Sequence, residues 1–423
     1  MQVVYEAIFS FSADNFALGQ VCKEFRLLTA KAQAKVLDKK IPKGFFSTER
    51  WTSAAIEYGL LHLLEACKEH VPSYICSLAA KKGDLPLLKW AVGRGHIYNN
   101  LTCAEAVERG DKEMLLWLVS VGCECNAFLC ASVAKVGNLQ MLQWLRERGF
   151  PWNEYTCMQA IEYNHLHVLQ WARANGCPWR ERDVCSKAAE TGNLEMLKWC
   201  REQGAPWEEW TFTCATKTGN LEMVQWMREK GCPWNKYASS GAARSGNLEL
   251  LQWLRKQGCP WDSFTPSAAA LSGNLEMVKW CHTQNKTLDV LLCFSAAMHG
   301  HLHILQWARA NGYSWDERTC SNAAKGGHLS TLQWVRFANC PWDEQTCFSA
   351  VASGNLEVVK WVYKNGCPWS EKACNEAAYR GYLDILKWIR AKGCPWGRGT
   401  YLAGKCCADK EVLRWLEKNG CPR

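Results

Sequence analysis

The chain has 423 residues, is 48% hydrophobic and 22% charged, and carries a formal net charge of +9. No apolar run approaches the ~18 residues of a membrane span. The N-terminus lacks the basic segment and cleavage site of a secretory signal, so a soluble protein of the cytoplasm or nucleus is expected.

Residues 1–45 differ in pattern from the rest of the chain. The apolar run Val3–Phe11 contains Ile8 and Phe9, and Leu18, Val21, Cys22, Phe25 and Leu28 then share one helical face. The string Val21-Cys22-Lys23-Glu24-Phe25-Arg26 resembles the later half of the F-box, although the opening Leu-Pro of that family is absent. The resemblance implies docking on a Skp1-type adaptor through Ile8, Phe9, Leu18, Val21, Cys22 and Phe25. The same residues also read as an amphipathic cap over the first repeat. In either case the apolar face needs a partner or a neighbouring repeat to cover it.

Lys39–Gly44 reads as a linker, and Ser53–Leu64 as a degenerate first repeat without its Trp. From about Pro72 onward the chain repeats itself. A Trp recurs at Trp90, Trp117 and Trp144, and so on to Trp415, in steps of 27 residues with a single step of 28 between Trp171 and Trp199. Such a fixed period decides the fold class. It also lifts the usual limit on domain size, because each repeat need contact only its neighbours.

One copy, Gly246–Trp261, gives the local structure. Asn247 stands where a helix N-cap belongs, and Glu249 favours the positive end of the helix dipole. Leu248, Leu250, Leu251, Trp253 and Leu254 make a stripe too broad for one buried side, as suits a helix wedged between two copies. Gly258, replaced by Asn285 and Asn339 in two copies, ends the helix in the left-handed region. Pro260 prevents continuation, and the second Trp of the copy, Trp261, is expected to fold back onto the stack. The preceding helix is shorter and rich in small residues, with alanine pairs such as Ala242-Ala243 that let neighbours approach closely.

The stretch Thr265–Trp280 closely resembles the ankyrin repeat, whose unit opens Thr-Pro-Leu-His-x-Ala-Ala and passes through Gly-His-Leu-Glu-Val-Val. The likeness covers roughly residues 47–423. Ankyrin units run about 33 residues, and the residues missing here are those of the β-hairpin finger. A short loop without strand is therefore expected, and the family's use of fingers to contact partners is weakened.

The 25 cysteines fall mostly into two columns, one on the first helix and one after the C-cap Gly. Equivalent positions in adjacent repeats should lie about 8–10 Å apart, beyond the ~7 Å reach of a disulfide. Small buried fillers are expected. His165/His167 and His301/His303 are two apart and should point in different directions, so no metal is expected, and nothing in the chain implies a cofactor or a catalytic site. The Trp ladder reads as core. Arg146, Arg173, Arg201, Arg228, Arg255, Arg309, Arg336 and Arg390 each stand two residues after the ladder Trp. A basic stripe of this kind suits a phosphate backbone, but acidic neighbours favour a solvated, compensated face.

The variable positions are more informative. After the second Trp the copies carry Tyr155, Arg182, Trp210, Tyr237, Phe264 and Arg318, the residue types that anchor interfaces. They read either as packing against the next first helix or as a partner groove. The expected architecture is an all-α, ankyrin-like helical-repeat solenoid of about fourteen helix-turn-helix units with reduced or absent fingers, spanning residues 46–423 behind the segment 1–45. The expected function is non-catalytic protein–protein interaction by a monomeric solenoid with a protein target of unknown identity. The substrate-recognition subunit of an SCF-type ubiquitin ligase is the sharper form. A plain repeat scaffold, or a nucleic-acid-associated protein using the Arg stripe, is the alternative. Nucleic acid and membrane are not the expected partners.

Overall fold

The computed structural model describes residues 48–66, 68–261, 263–284, 289–407 and 410–423. The candidate adaptor face, Ile8, Phe9, Leu18, Val21, Cys22 and Phe25, lies outside the described residues, as does Asn285, one of the two expected Asn replacements for the helix-ending Gly. Among the described residues every regular element is a helix, in most cases of nine residues. None is long and apolar enough to cross a membrane. The chain divides into two compact units, one ending at Thr191 and the other beginning at Gly192.

The repeat at Tyr237–Ser245 and Leu248–Lys256 illustrates the second unit. Asn247 Oδ1 accepts the amide of Leu250 at 3.0 Å, which caps the second helix. Its Nδ2 donates to the carbonyl of Gly219, one repeat earlier, at 2.8 Å. One side chain thus starts a helix and ties two repeats together. Asn220 and Asn274 repeat both bonds on Gly192 and Gly246. The helix ends with the amide of Cys259 donating to Leu254 and that of Gly258 to Arg255, the Schellman pattern. Gly258 has φ +79°, and the Asn339 that replaces Gly in one copy holds φ +60°.

First helices pack directly on first helices in both units, whereas second helices touch one another sparsely. The cause is side-chain size. Ala242, Ala243, Ala296, Ala297, Ala323 and Ala324 are fully buried in the first-helix layer of the second unit. A Cβ on Gly241 would collide with Thr216 Oγ1 of the preceding first helix. Between the two helix layers runs an apolar seam, with Leu250, Leu251 and Leu254 fully buried in this copy, each worth roughly 1.5–3 kcal/mol. In the first unit Leu129, Val133, Leu142 and Leu145 fill the same seam.

Candidate partner-binding groove

Three of the repeating rows turn out to be committed to the fold. The first is the Trp ladder, which is half-buried rather than fully buried. The second helices stand apart, and several ladder rings are met by the second Trp of the preceding repeat, edge-on in most of these pairs. Ring centroids are 5.8 Å apart for Trp152 and Trp171 in the first unit. In the second unit they are 5.6 Å apart for Trp207 and Trp226 and 5.7 Å for Trp315 and Trp334. Edge-to-face pairs at this separation are attractive beyond their buried area.

The second is the Arg row. The guanidinium of Arg146 lies 4.2 Å from the Trp152 ring, that of Arg201 4.2 Å from Trp207, and that of Arg228 4.0 Å from Trp234. Arg146, Arg201, Arg336 and Arg390 also donate to the carbonyls of Phe150, Ala205, Cys340 and Cys394. Several repeats therefore carry a stack of Arg, second Trp and next ladder Trp, as in Arg201, Trp207 and Trp226. Arg146, Arg201, Arg336 and Arg390 thus each use one guanidinium face and one N–H within the protein, which makes them a poor track for a phosphate backbone.

The third is the thiol column. The two cysteine columns meet inside a single repeat, a contact that comparison of equivalent positions in neighbouring repeats does not reveal. Cys320 Sγ donates to the carbonyl of Cys340 at 3.7 Å, and Cys340 Sγ to that of Asp316 at 3.3 Å. Cys347 and Cys367 repeat the arrangement. The Gly-Cys-Pro-Trp segment is thereby hydrogen-bonded to the start of its own first helix. Burial pushes the thiols of Cys130, Cys281 and Cys293 up to about 12. His301 and His303, whose rings are 6.0 Å apart, donate through Nε2 to two different carbonyls one repeat back, those of Leu271 and Gly273, each at 3.1 Å. His165 and His167 do the same to Lys135 and Gly137 in the first unit.

Three of the variable positions stand well out of the core. Trp210, Tyr237 and Phe264, at the starts of three successive first helices, are 51%, 47% and 52% exposed. They form one rim of an open groove of about 300 Å³. Its floor is small and hydroxylic: Thr213, Ser240, Gly241, Ser267 and Ala268. Its other rim carries Lys217 and Arg244, with Leu271 continuing the line. The grid follows from helical spacing. Counted from each aromatic residue, the floor lies at i+3 and i+4 and the second rim at i+7, all on one face. The ammonium of Lys217 sits 4.3 Å from the Trp210 ring and that of Lys236 5.4 Å from the Tyr237 ring. No carboxylate lines the groove.

The remaining candidates lie elsewhere. Arg318 is paired with Asp316 at 2.7 Å and covers the Phe294 ring at 4.5 Å, so it is engaged within its own surroundings and does not line the groove. Tyr155 and Arg182 belong to the first unit. Tyr155 is 50% exposed with Arg180 4.8 Å from its ring, and Arg182 is exposed. The same column in that unit also exposes Tyr74, Leu101 and Phe128. These three were missed by sequence reasoning, as were Lys217 and Arg244, although the 27-residue spacing and the i+7 interval point to them.

Two stretches of the chain, 185–228 and 293–336, match the model of ankyrin repeats (many copies). No curated protein matches the chain. Among solved structures, the pentatricopeptide repeat protein PPR10 from maize aligns over 99% of this chain and 81% of its own, at 14% identity and a TM-score of 0.36. The same protein in complex with an 18-nt psaJ RNA element aligns over 99% and 83%, at 13% identity and a TM-score of 0.32. The ankyrin resemblance is thus supported over two separate stretches of a helical-repeat solenoid.

Proposed function

We propose that this protein is a non-catalytic recognition module that binds a segment of another protein across the starts of its first helices. The observation that carries the reading is the groove of Trp210, Tyr237 and Phe264. Three large aromatic residues are held half in solvent on consecutive rigid helices, beside a floor of small side chains. Aromatic residues on a preorganised surface are the usual anchors of protein interfaces, and the other repeating polar and aromatic rows make contacts within a repeat or between neighbouring repeats. The test compares the proteins captured by the wild-type chain with those captured by a Trp210→Ala/Tyr237→Ala variant of unchanged melting temperature. Selective loss of the same captured proteins supports the reading, and an unchanged set overturns it.

The finer role, a substrate receptor of an SCF-type ubiquitin ligase, is supported by the F-box-like string Val21–Arg26 and by no residue of the solenoid. Capture of a Skp1-type adaptor by the full chain, abolished by Val21→Asp with Phe25→Asp, is the expected result. Failure of the wild-type chain to capture the adaptor leaves a plain recognition scaffold.

A further inference from the structure

The groove has two unlike rims, and this asymmetry constrains what fits. One rim is aromatic. The other holds Arg244 and Lys217, whose ammonium reaches back to 4.3 Å from the Trp210 ring, and Lys236, outside the groove lining, places a further cation against the Tyr237 ring. Glu208 and Glu209, the acidic pair beside Trp210 in sequence, do not line it. The floor is built of small side chains, Thr213, Ser240 and Ser267, whose hydroxyls already donate to the carbonyls of Glu209, Tyr237 and Phe264, together with Gly241, where a side chain is excluded. An occupant therefore needs apolar groups along one edge, negative charge along the other, and a thin backbone between them.

We propose that the groove takes an extended polypeptide segment whose Asp and Glu side chains face Lys217 and Arg244 while apolar side chains lie against Trp210, Tyr237 and Phe264. This inference rests on the recognition function proposed above and specifies its partner. The spacing agrees with an extended chain. Neighbouring packed helices are about 8–10 Å apart, and a polyproline II segment brings every third side chain to one face after about 9 Å. One acidic residue in three therefore meets one cation per repeat. Carboxylates fit better than a phosphate group, because the two cations stand on successive helices and do not converge into the arginine cluster that a dianion requires. Lys217 and Arg244 are exposed and can be reversed in charge at little cost to folding.

The test selects peptides from a random dodecapeptide display library on the full-length chain. The wild-type pool is expected to be enriched in Asp and Glu relative to the starting library. Lys217→Glu with Arg244→Glu should weaken those peptides about tenfold or more at an unchanged melting temperature. Selected peptides that are lost on Trp210→Ala/Tyr237→Ala but show no acidic enrichment overturn the acidic partner and leave the recognition function standing. A pool indifferent to both variants, or no selection at all, overturns both. A 12-nucleotide oligouridine that binds more tightly than the acidic peptides, and is released by the same charge reversal, overturns the polypeptide occupant.

Discussion

Trp207 meets Trp226, the ladder residue of the following repeat, edge to face with ring centroids 5.6 Å apart, while Arg201 covers Trp207 from 4.2 Å. The three side chains come from two repeats, so they couple one repeat to the next. In a solenoid, stability is approximately a sum of repeat terms and nearest-neighbour terms, and this stack belongs to the second kind. Trp207→Ala removes a large half-buried ring, its edge-to-face contact with Trp226 and its stack with Arg201. A loss of about 2–4 kcal/mol is expected. Hydrogen exchange should locate the lost protection in the two repeats that share the stack. Uniform loss along the whole second unit would contradict a nearest-neighbour role.

Asn247 separates two contributions that are usually merged. Asn247→Ala deletes both the cap on Leu250 and the bond to Gly219, with an expected cost of about 1–2 kcal/mol. Asn247→Asp keeps an acceptor for the Leu250 amide and removes the donor to Gly219, leaving a carboxylate beside a carbonyl oxygen. It should retain the helix and lose coupling to the preceding repeat. Urea unfolding of the two variants, read against hydrogen exchange at residues 219–223, distinguishes them. Equal exchange in Asn247→Asp and wild type would mean that the inter-repeat bond is energetically idle.

Much of this was written in the chain. The N-cap Asn, the left-handed Gly with its Asn substitute at 339, and the small residues of the first helices are local rules, and local rules survive reading in one dimension. The absence of strand among the described residues follows equally from three residues being too few for a hairpin finger. The aromatic positions Trp210, Tyr237 and Phe264 were legible because they vary where the rest repeats. The functions of the Trp and Arg rows were not. Their partners lie six residues away around a C-cap turn, or nineteen residues away in the next repeat. Only the fold shows that the Arg228 guanidinium, although exposed, lies over the Trp234 ring. The meeting of Cys320 with Cys340 was hidden for the same reason, since the comparison of equivalent positions in neighbouring repeats overlooks contacts within one.

The Arg row offers a direct check of that distinction. Arg228→Ala should lower stability by about 1 kcal/mol through loss of its contact with Trp234. Arg228→Lys should restore only part of this, because an ammonium lacks the planar face that stacks on indole. Neither change should alter the affinity of a peptide for the groove between Trp210 and Phe264. If Arg228→Ala weakened a bound peptide while stability stayed constant, the row would belong to a binding surface after all.

The buried thiols make stability sensitive to alkali. Burial raises Cys130, Cys281 and Cys293 to about 12 and Cys76 to about 11, from an ordinary value of 9.0. Above pH 9 the unfolded chain loses these protons while the folded chain retains them. The unfolded state then binds fewer protons, and stability falls as pH rises. The contribution is fully present below pH 9 and is lost progressively as pH rises toward about 12. Thermal melts between pH 8 and 11 should show this decline, and it should be shallower in a Cys130→Ala/Cys281→Ala/Cys293→Ala variant, which removes three of the shifted groups. The same burial predicts selective labelling at neutral pH. Among the described cysteines the exposed Cys406 should react first with a maleimide, and Cys130, Cys281 and Cys293 only on unfolding. Early labelling of those three would mean that the repeats open far more readily than their packing implies.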